Sequence, residues 1–355
     1  MIYVCNVPGL KKWDEPQQIN NILEDLEEYK DKIVGLELCH NSIGEKCAEA
    51  LGERIKQLKY LMMIDLSDCF VSRGSEELPK CLKYILEALE GKNIKQIKIN
   101  DNALGPTAAP GYEFFFQKNK TLEKLFINNC GMGPVGTPRL MKIISENKDM
   151  PLKVLQFSRN KIENIGCNSI SEMIKNKKDI QEISISDNEI HKEGLELFFN
   201  TIKNNQHISS IDVHNNILGK EVKQLPEIIS SLSNIKYLDL SDLTIENSSI
   251  IKEIFENLPK LSKLREFHFD FNISDLDFKD DKEKTEFISK LFECLLKLDN
   301  IKGVKMENND IPKALYKENL PKFKNKGLYL FSCYNEEEKM EDEEGEDMDM
   351  TDLNK

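Results

Sequence analysis

Residues 94–134, IKQIKINDNALGPTAAPGYEFFFQKNKTLEKLFINNCGMGP, carry one pattern twice. Ile94, Ile97, Ile99, Asn102 and Leu104 stand at the spacing L-x-x-L-x-L-x-x-N-x-L. Leu122, Leu125, Ile127, Cys130 and Met132 repeat it, with Cys in the Asn place. Each copy is followed by a Gly-Pro step, Gly105-Pro106 and Gly133-Pro134. The spacing predicts a short strand, a turn, and then a helix or short turn.

The pattern runs outward in both directions, and it is the leucine-rich repeat signature. Its Asn/Cys place is filled by Asn41, Cys69, Asn102, Cys130, Asn160, Asn188, Asn216, Asn272 and Asn309, with Leu243 in the eighth copy. The period is near 28 residues, the long end of the range for such repeats, so each unit has room for a true helix. Residues 76–90 and 193–203 place their apolar residues on one helical face, as that requires. Two steps are longer: one holds an extension after Cys69, the other a charged insertion, DLDFKDDKEK, from Asp275.

One such unit cannot close a core alone, so neighbours stack. The predicted fold is therefore α/β: a leucine-rich repeat solenoid, a crescent with inner parallel strands and outer helices, of the long ribonuclease-inhibitor-like kind. The repeat Asn side chains should bond backbone where the chain leaves each strand, forming a ladder. Residues 1–32, with a strand at 2–5 and a helix at 17–29, read as an N-terminal cap. Residues 33–334 read as an array of about ten repeats ending in an apolar C-terminal cap, GLYLFSCY. Residues 335–355 read as an acidic disordered tail, because a block of like charge cannot offset its ordering entropy.

The formal net charge is −13, of which residues 336–355 supply −9. The body is thus nearly balanced, and neither part has the clustered Lys and Arg that nucleic-acid binding needs. No apolar run reaches the length of a membrane span, and residues 1–15 lack the basic-then-apolar order of a secretory signal. Nine cysteines without a C-x-x-C pair point to reduced thiols. The expected localisation is cytoplasmic or perinuclear, as a monomer. Neither G-x-x-x-x-G-K-[ST] nor H-E-x-x-H occurs, and His40, His191, His207, His214 and His268 are scattered. No metal site and no active site of the chain's own is expected.

What remains is the edge of the array, one residue before each ladder position. Asp68, Asp101, Asn129, Arg159, Asp187, Asn215 and Asp242 stand there, a polar and mostly acidic stripe suited to a basic protein surface. Loop tops are also polar simply because they are solvated. Two places depart from the rule. Phe70-Val71-Ser72-Arg73-Gly74 reads as an extended loop that lifts an arginine above the edge, and two carboxamides, Asn128-Asn129, precede Cys130. Only five of the 49 basic residues are arginines, so an arginine marks a place that uses its planar fork.

Four segments resemble the GTPase-activating proteins of the nuclear-transport GTPase Ran: SDCFVSRGSEELPKCLKYILEAL (67–89), INDNALGPTAA (99–109), LEKLFINNCGMGP (122–134) and SRNKIEN (158–164). The acidic tail fits the same family. The resemblance implies a regulator that acts in trans, not a free-standing enzyme. It would bind Ran in its GTP form by the edge of the crescent, with a Ran-binding protein as a further partner, and accelerate hydrolysis. GTP and Mg²⁺ would belong to Ran, leaving this chain no cofactor of its own. Asn129 matches the family asparagine that orients the water-positioning glutamine of Ran. Arg73 matches the arginine of the F-x-x-R loop and would support the interface or that loop rather than act as an arginine finger. Asp101 and Arg159 match family loop motifs, and Asp68, Asn102, Asn128 and Asp187 complete the expected partner-binding set. Cys130 replaces the second family asparagine. No large extra C-terminal domain follows the tail, so attachment to the nuclear pore by that route is not expected. Two other readings use the array and tail alone: a non-catalytic repeat scaffold, or an acidic binder of basic proteins.

Overall fold

The computed structural model describes residues 1–5, 11–203, 205–219, 223–274 and 276–332. The acidic tail lies outside the described residues, as do the last two residues of the expected C-terminal cap.

The apolar spacing does what it predicts. Ten three-residue strands, one per repeat, pair in parallel and in sequence order from Gly35–Glu37 to Gly303–Lys305. Ile2–Val4 adds to the first edge and Tyr329–Phe331 to the last, making a twelve-stranded sheet among the described residues. The central strand residues stand in one register column: Leu36, Ile64, Ile97, Leu125, Leu155, Ile183, Ile211, Leu238, Phe267, Val304 and Leu330. All are buried. Truncating one to Ala in such a column leaves a cavity that costs about 2–5 kcal/mol.

Helices return on one side of the sheet. Glu77–Glu87 and Lys192–Ile202 cover the stretches predicted helical, each a residue or more shorter or shifted at its ends. The predicted first helix is a 3-10 turn, Pro16–Ile19, leading into Asn20–Glu28. Gly105 and Gly133 have φ of 56° and 58°, which glycine adopts without the Cβ penalty. Pro106 and Pro134 then sit in the first turn of the following helix, where a missing N–H is harmless. The charged insertion ends in a helix start: Asp280 accepts the Glu283 N–H at 2.8 Å and opens Asp281–Leu295. No helix among the described residues is long and apolar enough to cross a membrane.

The ladder is present. Asn102 donates to the Leu66 and Ile99 carbonyls at 2.9 and 3.0 Å, while its Oδ1 accepts the Cys69 and Phe70 N–H groups. Asn160, Asn188, Asn216, Asn272 and Asn309 each donate in the same way to the preceding repeat. Cys69 and Cys130 keep half of this function. Their thiols donate to Leu38 and Ile99 carbonyls, each at 3.0 Å, but they have no carboxamide oxygen to take an N–H in return. Burial pushes the Cys130 thiol up to about 12. At Leu243 the side-chain rung is absent.

A small second sheet was not predicted. Lys11–Trp13 pairs in parallel with Asn41–Ile43, tying the cap to the first repeat.

Candidate functional site

The residue before each ladder position has one backbone geometry. His40, Asp68, Asp101, Asn129, Arg159, Asp187, Asn215, Asp242, Phe271 and Asn308 all have φ between 49° and 61°. The left-handed turn aims each N–H at the next repeat: Asp101 to the Asn128 carbonyl, Asn129 to Ser158, Arg159 to Ser186, Asp187 to His214, at 2.9–3.0 Å. Asn and Asp tolerate this conformation because their short polar side chains bond locally. The acidic stripe therefore has a backbone reason of its own. That reason does not cover His40, Arg159 or Phe271, whose side chains bear the penalty without the compensation.

Arg159 is exposed, and among the described residues its guanidinium makes no ion pair. It lines an open cleft with Asn129, Lys161, Asp187, Glu189, Asn215 and Ile217. Asn129, also exposed, donates from Nδ2 to Asp101 Oδ1 at 2.8 Å. The bond holds the carboxamide to one side of the loop top. Asn215 repeats the arrangement on Asp187 at 2.5 Å. Lys161 pairs with Glu189 at 3.5 Å across the cleft. Sequence reasoning passed over Lys161 and Ile217, although Lys161 lies within the quoted segment SRNKIEN. The cleft thus presents a carboxamide, a free guanidinium and carboxylates on one edge. It can grip a polar protein surface and orient a small polar group.

The other predicted residues divide. Asp101 belongs with Asn129. Asp187 is half-buried and also faces His214 Nε2 at 3.1 Å. Asp68, two strands from Asn129, is half-buried and bonded to His40 Nδ1 of the adjacent repeat at 3.0 Å. Asn128 is half-buried, and its Oδ1 accepts the Ser158 N–H at 2.8 Å. Asn102 requires correction: it is 1% exposed and its polar atoms serve the ladder, so it presents nothing to a partner.

Arg73 requires a larger correction. The expected raised loop turns inward instead, and the Arg73 side chain is 2% exposed. Its guanidinium reaches Asp14 Oδ1 at 2.5 Å, Glu77 Oε1 at 3.1 Å, Ser42 Oγ at 2.9 Å, and the carbonyls of Ser42 and Trp13. The hydrogen bond from Arg73 holds the Asp14 carboxyl below the usual carboxylate range. The physical reason is the unpredicted strand Lys11–Trp13, which brings acceptors over the loop. Five acceptors from three chain segments use the fork of arginine as lysine cannot. Arg73 is a fastener of the cap.

No family model matches the chain. It is 26% identical over 184 residues to Ran GTPase-activating protein 1 of Xenopus laevis, a match covering 48% of this chain and 32% of that protein. It is 26% identical over 183 residues to the Ran GTPase-activating protein of Drosophila melanogaster, covering 48% and 30%. Among solved structures, the leucine-rich repeat-containing protein LegL7 from Legionella pneumophila superposes with a TM-score of 0.48 at 15% identity, covering 83% of this chain and 89% of that one. Over about half its length the chain is similar to Ran GTPase-activating proteins, and it spans about a third of the length of these curated relatives.

Proposed function

We propose that this chain accelerates GTP hydrolysis on Ran, engaging the GTP form through the loop edge around Asn129 and Arg159. The observation that carries the reading is the exposed Asn129, held by Asp101 on a rigid edge in a chain similar to Ran activators. Asn129 supplies a fixed carboxamide that orients the water-positioning glutamine of Ran, so the gain comes from positioning. Arg159 is the free cation beside it and binds an acidic group of the partner. Arg73 takes no part in chemistry, because its donors are engaged inside the protein. Nucleotide and Mg²⁺ are carried by Ran.

Single-turnover hydrolysis on purified Ran-GTP tests this, with wild type and Asn129→Ala side by side. Strong acceleration by wild type and a loss of about 10²-fold or more in the variant supports both function and mechanism. Acceleration by both moves the chemistry away from Asn129. Acceleration by neither leaves a non-catalytic scaffold.

A further inference from the structure

The residue that ends each strand also forms a column, on the open face of the sheet. Asp212, Asp239 and His268 occupy it on three successive strands, in direct register. His214, two residues beyond Asp212, turns back over the same place. Two of the five scattered histidines are thereby brought onto two carboxylates.

His214 Nδ1 lies 2.7 Å from Asp212 Oδ1 and 3.9 Å from Asp239 Oδ2. His268 Nδ1 lies 3.1 Å from the same Asp239 oxygen. One ligand atom each from Asp212, His214 and Asp239 falls within 4.8 Å of the others. Ligands about 2.0–2.1 Å from a tetrahedral ion stand roughly 3.4 Å apart. Small side-chain rotations therefore bring in Asp212, His214 and Asp239, while His268, 3.1 Å from Asp239 but outside that group of three, swings further to join them.

We propose that Asp212, His214, Asp239 and His268 bind one divalent transition-metal ion, zinc being the best fit to two imidazoles and two carboxylates. Hard, carboxylate-only cation sites do not use imidazole, and thiol-selecting ions find no sulfur here. The outer groups are those a metal site needs. The Ser184 hydroxyl donates to Asp212 Oδ2 at 2.7 Å, the Ser241 N–H to Asp239 Oδ1 at 2.9 Å, and the Tyr237 hydroxyl to Asp239 Oδ2 at 3.2 Å. An open cleft lined by Asp212, Tyr237, Ser184 and Ser210 gives solvent a path in. Asp187 stands on the far side of His214, at Nε2, and fixes which ring nitrogen faces the carboxylates.

The alternative occupant is a proton. Burial opposes a charge on His214, but its bond to Asp212 and the charges of Asp212, Asp239 and Asp187 raise it to about 9. A metal must displace that proton.

The test is calorimetric titration of Zn²⁺ into the chelator-treated full chain, compared with Asp239→Asn and His268→Gln. Wild type should bind one equivalent with micromolar affinity or tighter, and each variant should weaken binding about tenfold or more. Substituted Co²⁺ should show visible d–d bands without a thiolate charge-transfer band. No saturable binding, unchanged affinity in both variants, or a thiolate band would each overturn the proposal, the first leaving an ion-pair cluster only. His268→Gln can still bond Asp239 and Tyr237, and a matching thermal melt without metal separates lost ligation from lost folding.

Discussion

Two loops on the same edge of the sheet, two strands apart, meet opposite fates. At Asn129 the left-handed turn leaves the side chain in solvent, fixed among the described residues by Asp101 of the preceding repeat. At Arg73 the chain turns inward and the side chain is enclosed by Asp14, Glu77, Ser42 and Trp13. Both residues match motifs of one family. What separates them is where their hydrogen bonds go: Asn129 stays at the exposed edge, while the donors of Arg73 are engaged inside the protein.

The contrast is broken most directly at Asn129. Asn129→Ala should lower single-turnover hydrolysis on Ran-GTP by about 10²–10³-fold, or roughly 3–4 kcal/mol of barrier, while urea unfolding should report a loss of only about 1 kcal/mol, because Ala bears the left-handed backbone penalty that Asn escapes. A loss of stability equal to the loss of rate would erase the distinction. Arg73→Ala should do the reverse. It frees two carboxylates and three other acceptors, and urea unfolding should report a loss of about 2–3 kcal/mol. Arg73→Lys should recover less than half, because one ammonium cannot span the same acceptors. Full hydrolysis activity at saturating Arg73→Ala below its melting temperature would agree; a specific loss of rate would contradict it.

A smaller effect sharpens the comparison at Arg159. Arg159→Asn relieves the backbone penalty at φ 59° and should raise stability by about 1 kcal/mol, yet weaken Ran binding. Stability and affinity moving together would mean that the side chain is retained for the fold. The smallest effect lies at Cys130. With its thiol buried and pushed up to about 12, it should resist iodoacetamide at pH 8 in the native state and react once urea unfolds the chain.

Periodicity made the fold legible. Ten copies of one spacing determined strands, ladder and stacking order, because the same burial problem is solved ten times. The inward turn of Arg73 was not legible. It depends on Lys11–Trp13 meeting Asn41–Ile43, a three-residue pairing across 30 residues with no repeat to announce it. The edge stripe was read correctly as polar, but its Asp and Asn content owes much to a left-handed backbone that composition does not display. Asp212, Asp239 and His268 were legible in principle. They hold the same place in successive repeats, and aligning that column, rather than the ladder column, would have brought them together.

Leu243 breaks the ladder within the array. From Cys69 onward every other ladder position carries a side chain that donates to the preceding unit, but Leu243 reaches none, although its own N–H still meets Asn272 Oδ1 at 3.1 Å. In a one-dimensional stack, stability is a sum of unit and nearest-neighbour terms, and a missing rung is a weak link. Under load from its two ends the solenoid should part first between its seventh and eighth repeats, and amide exchange should be fastest there among the ladder loops. The loop edge around Asn129 then lies wholly in the longer fragment.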